Sequence, residues 1–106
     1  MMYGEFLEIS GKTEKYISYR EYTDCIEPIY MESNCTTKYE FISLLNESFE
    51  KLVYPAVEKA FKSMTTDAKY DYIMGGSNNN VQEVAERVDK EARQIAYEYL
   101  KLISKI

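Results

Sequence analysis

The sequence predicts an α+β domain, a small N-terminal antiparallel β-meander of about three strands packed on a C-terminal antiparallel helical hairpin. Three observations predict it. Residues 15–22 are rich in β-formers and alternate in polarity. After Thr37 the apolar period changes from two to that of a helix. Apolar residues then recur every seven positions from Val81 to Leu102.

The meander is expected within residues 1–35. Glu5–Ile9 reads as a short strand with Leu7 and Ile9 on one face, closed by the turn signal Ser10-Gly11-Lys12-Thr13. In Lys15–Tyr22 the alternation sets Ile17 and Tyr19 on one face and Tyr16, Ser18, Arg20 and Tyr22 on the other. Cys25–Met31 reads as a third strand. Pro28 cannot donate to a ladder, so that strand belongs at an edge.

The helical part is expected over residues 36–106, in one domain of 106 residues with the meander. Thr37-Lys38-Tyr39-Glu40 has capping-box spacing and opens a run with Ile42, Leu45, Phe49, Leu52, Val53, Ala56, Ala60 and Met64 at helical intervals. Pro55 predicts a kink near Lys51–Tyr54, or a break with Pro55 in the first turn of a second helix. Thr66-Asp67 predicts a short helix through Met74, stopped by Gly75-Gly76. Asn80 and Glu83 repeat the capping spacing ahead of a long last helix starting at Val81. Its row Val81, Val88, Ile95 and Leu102, with Ala85 and Ala92 in a second row, reads as a core stripe, a self-association stripe, or both. A homodimer is expected.

Composition excludes several chemistries. There is no His, so no Ser-His or Cys-His pair and no imidazole ligand. No GxxxxGK[ST] or GxGxxG pattern occurs. Cys25 and Cys35 alone fall short of a four-ligand zinc site. The expectation is therefore no catalytic centre, no metal and no cofactor. With 13 bases against 18 acids and no basic run, direct nucleic-acid binding is not expected either. No apolar stretch is long enough to span a membrane and no leader pattern is visible, which predicts a cytoplasmic protein.

Two features suggest contacts. The acidity lies mostly in residues 1–35, with seven acids against three bases, and an acidic face attracts a basic partner. The eleven tyrosines suit interfaces, and Tyr16, Ser18, Arg20 and Tyr22 form the candidate surface for a protein partner with a basic surface. Gly75, Gly76, Ser77, Asn78, Asn79 and Asn80 form a loop of small donors before a helix N-terminus, the candidate site for a nucleotide or other anion. The expected function is thus a non-enzymatic intracellular interaction protein. Its AT-type residue usage suits an inhibitor or adaptor carried by a phage or mobile element. The alternative is a small oligomeric module that captures an anionic ligand.

Overall fold

In a computed structural model of the chain, the residues described are 1–62 and 79–105, with residues 79–82 described by their backbone alone. The elements are α1 (Tyr3–Ser10), α2 (Tyr19–Glu21), a π-helical segment (Tyr22–Ile26), α3 (Glu27–Glu32), α4 (Lys38–Ser48), a second π-helical segment (Phe49–Val53), α5 (Tyr54–Lys62) and α6 (Asn79–Ile103). Among the described residues there is no strand, so the α+β class and its β-meander are overturned.

Each of the three expected strands is instead helix, or a turn leading into helix, for a local reason. Glu5–Ile9 lies in α1, which buries Phe6 and Ser10, one turn apart on one face. Gly11, read as part of a β-turn, is instead the helix C-cap. Its φ of 74° is left-handed, and its N–H donates to the Leu7 carbonyl at 3.1 Å. In residues 15–22, Ser18 is an N-cap whose hydroxyl accepts from the Glu21 N–H at 3.1 Å. Behind it Tyr22, Ile26 and Ile29 are buried at intervals of four and three, the helical spacing. In the third segment Pro28 sits in the first turn of α3, where its missing N–H is not needed.

Both prolines of the chain follow a π-helical segment by two residues: Pro28 after Tyr22–Ile26, and Pro55 after Phe49–Val53. A proline ring crowds the carbonyl four residues back and offers it no hydrogen. A wider turn immediately upstream relieves that crowding and shifts the ladder by one residue. At the first segment the shift is explicit, because the Glu27 N–H donates to Tyr22, five residues back. At the second it falls where the sequence predicts an interruption, over Lys51–Tyr54, and α5 begins at Tyr54 with Pro55 in its first turn.

The chain forms two compact units. Unit 1 comprises Met1–Ser48 and Tyr97–Ile106, and unit 2 comprises Phe49–Ala96. The core of unit 1 is Phe6, Ile17, Tyr22, Ile26, Ile29, Phe41, Ile42, Leu45, Tyr97 and Leu100. α1 packs on α4, with Lys38 paired to Glu5 between them, and α3 meets α4 through the Tyr30 and Phe41 rings, 4.9 Å apart. At the foot of α4, the Glu40 N–H donates to Thr37 Oγ1 at 3.1 Å, as the capping spacing predicts. The Glu40 carboxylate accepts one residue earlier than that pattern implies, from the Thr36 N–H at 3.1 Å. Asn34 closes the end of α6. Its N–H donates to the Ser104 carbonyl at 2.7 Å, and its side-chain amide to the Lys105 carbonyl at 2.6 Å.

Unit 2 buries Phe49 and Val53 from the second π segment and Ala85, Ala92 and Ala96 from α6. No residue of α5 is fully buried, although its apolar residues lie on one face. The expected helix over Thr66–Met74 lies outside the described residues, and α6 opens at Asn79, two residues before the expected start.

Candidate interaction surfaces

The tyrosines of unit 1 serve mainly as internal ties. Tyr22 is only 1% exposed. Its ring stacks on Phe6 at 4.9 Å, and its hydroxyl donates to the Met1 carbonyl. Burial, with the nearby Glu27, Tyr30 and Glu5 adding to it, pushes its pKa up to about 12. The Tyr3 hydroxyl donates to the Ile17 carbonyl at 2.5 Å, and Tyr97, also buried, donates to Glu21 at 2.5 Å. In each case a ring supplies apolar area while the hydroxyl satisfies an acceptor, which suits tyrosine to a small core. Lys38 has its pKa raised, chiefly by its hydrogen bond to Glu5.

The four residues expected to share an outward strand face do not do so. Tyr22 points into the core, Tyr16 is half-buried with the Lys12 ammonium 6.0 Å from its ring centroid, and Ser18 is spent as the N-cap. Ser18 and Arg20 are the exposed members of the four, and Arg20 pairs with Asp24 at 3.5 Å. The ring displayed beside it is Tyr19, 65% exposed, which the alternation assigns to the inner face. Tyr19 is held edge-on against Tyr3 with centroids 5.4 Å apart. The missed signal is Ser18-Tyr19-Arg20-Glu21, which has the spacing of a capping box.

Of the two readings of the α6 heptad row, core stripe or self-association stripe, burial does not support the core one. Ile95 is 59% exposed and Leu102 70% exposed, Val88 is half-buried, and the side chain of Val81 is outside the described residues. The buried row is Ala85, Ala92 and Ala96, a quarter-turn further round the helix, with Leu100 closing it in unit 1. Of the candidate anion loop, Gly75, Gly76, Ser77 and Asn78 lie outside the described residues, and Asn79 and Asn80 form the first turn of α6.

Unit 2 carries an apolar cleft of about 320 Å³ lined by Tyr54, Val57, Glu58, Phe61, Ala85 and Asp89. Glu58 pairs with Lys62 at 3.0 Å, and Asp89 pairs with the largely buried Arg93. Carboxylates on both walls make it a poor receptor for an anion.

Charge is divided unevenly between the units. The described residues of unit 1 hold ten acids and six bases, and those of unit 2 hold six of each. Among the described residues no cluster of three potential metal-ligating acids or cysteines occurs, Cys25 and Cys35 form no disulfide, and no helix is long and apolar enough to cross a membrane. No protein-family model, curated protein or solved structure matches this chain.

Proposed function

We propose that the protein is a non-enzymatic interaction module, an inhibitor or adaptor acting in the cytoplasm, that binds a locally basic protein partner through unit 1. The observation that carries this reading is the charge division. The acidic excess belongs to unit 1, while the described residues of unit 2 are balanced. Such a field draws a basic partner to one part of the molecule and speeds its encounter. Tyr19 supplies a contact for it, a large exposed ring already fixed against Tyr3, so little side-chain freedom remains to be lost on binding.

The test is capture of partners from the native host by the wild type and by the double variant Tyr19→Ala/Asp24→Lys. Both positions are largely solvent-facing, so the variant should melt within about 1 kcal/mol of the parent. Its capture of a basic protein should be lost, and wild-type capture should weaken steeply as salt is raised. Identical capture by parent and variant would place the contact elsewhere. A nucleotide that raises the melting midpoint in step with the logarithm of its concentration would favour a ligand-binding module instead.

A further inference from the structure

The apolar arc of α6 is wider than the arc that unit 2 buries. Ala85, Ala92 and Ala96 face the core, while Val84, Val88 and Ile95 lie a quarter-turn to one side, Val84 and Ile95 exposed and Val88 half-buried. Glu91 lies within this second row, and Arg87 flanks it. Both are exposed, and among the described residues neither makes an ion pair.

We infer that this face of α6 pairs with the same face of a second copy of the chain, antiparallel, about a two-fold axis lying between Val88 and Glu91. Two features of the row select a copy as the occupant. The first is charge. A copy approaching unit 1 meets like charge, ten acids against six bases on each side, whereas unit 2 with six of each among its described residues presents no net repulsion. The second is self-complementarity, which a two-fold interface requires. About the stated axis, Val84 of each chain stands opposite Ile95 of the other. The two Val88 residues lie three residue rises apart, ~4.5 Å along the helix, one on each side of the axis. Arg87 of each chain comes within about one residue rise, ~1.5 Å, of level with Glu91 of the other, on the same flank. Val84 thus meets Ile95 twice, the two Val88 residues flank the axis with each level with Glu91 of the other chain, and the exposed charges of opposite sign meet twice.

The patch is small. Three apolar side chains per chain cover well under the roughly 800 Å² per partner typical of stable complexes, so the dimer is weak and forms at tens to hundreds of micromolar. This self-pairing uses unit 2 and is independent of the partner surface proposed for unit 1.

Sedimentation velocity on the full chain, from about 10 μM to 1 mM, tests the inference, with circular dichroism melting as the control for folding. The wild-type mass should rise from 12.5 kDa toward twice that value. Ile95→Glu should remain a monomer throughout while melting as the parent does. Arg87→Glu and Glu91→Arg should each associate more weakly than the parent, because each sets two like-charge pairs across the axis. An equimolar mixture of these two variants should recover association. In the mixed dimer the carboxylate introduced at position 87 faces the guanidinium introduced at position 91, and the native Glu91 of one chain faces the native Arg87 of the other. A wild type that is monomeric at 1 mM, an Ile95→Glu variant that dimerises like the parent, or a mixture no better than its components would each overturn the proposal.

Discussion

The Tyr97 hydroxyl donates to a Glu21 carboxylate oxygen at 2.5 Å, joining residues 76 positions apart in the sequence. Tyr97 is buried in the core of unit 1, and Glu21 ends the short helix that Ser18 caps. One residue thus finishes a local capping motif and receives the C-terminal end of α6. Tyr97→Phe keeps the ring and removes the donor of this charge-assisted hydrogen bond. The variant should lose about 1–3 kcal/mol in denaturant unfolding, with an unchanged far-ultraviolet spectrum.

Core and surface on α6 are separated by a quarter-turn, and stability should follow that division. Leu100 is fully buried, so Leu100→Ala should cost about 2–5 kcal/mol. Ile95→Ala, at a mostly exposed position, should cost less than about 1 kcal/mol at concentrations where the chain is monomeric. Thermal melts of the two variants side by side check the register, and equal losses would mean that the face has been misassigned.

Gly11 holds a left-handed φ of 74°, and a side chain added there would meet no atom within 4 Å. The cost of Gly11→Ala is therefore one of backbone conformation alone, about 1–2 kcal/mol. Gly11→Asn should recover part of it, since asparagine tolerates this conformation better than alanine. Denaturant midpoints for both variants give the comparison.

Tyr22 titrates near 12 in the folded chain against about 10 when unfolded. The phenol holds its proton more tightly in the native state. Its contribution is therefore fully present below pH 10 and is lost as pH rises from 10 to 12, with an upper bound of about 3 kcal/mol. Unfolding free energy measured between pH 9 and 12 should fall across that window, and Tyr22→Phe should flatten part of the fall. The change in slope, rather than absolute stability, is the readout, because Tyr22→Phe also removes the bond to Met1.

The second half of the chain was more legible than the first. Thr37–Glu40, the run from Ile42 to Val53, the interruption ahead of Pro55 and the long last helix are all read from residue spacing, because a helix writes its buried face at intervals of three and four. The first third failed on tyrosine. Tyr16, Tyr19 and Tyr22 carry β-propensity, but that propensity expresses packing on a half-buried surface more than a backbone preference. Here Tyr22 is used for its volume and its hydroxyl, inside a helix. Ser18 and Glu21 carried the opposing signal, as did Phe6 with Ser10. On α6 the heptad that includes Val88, Ile95 and Leu102 marked one edge of the apolar arc, and the buried positions are the alanines beside it. Bulk alone does not identify the buried side of a helix when small residues form an adjoining row.

Unit 1 is assembled from residues 1–48 and 97–106, with all of unit 2 lying between them in the chain. During synthesis, residues 1–48 leave the ribosome roughly fifty residues before Tyr97 and Leu100 do. At about 5–20 residues per second, the Tyr97 hydroxyl reaches Glu21 several seconds after residues 1–48 have emerged. Closing unit 1 across that span costs loop entropy that a unit of contiguous residues would not incur. A chain that stops before residue 97 lacks the Tyr97 hydrogen bond to Glu21 and the two Asn34 hydrogen bonds to Ser104 and Lys105. The assembled state is thereby reserved for chains translated past that point.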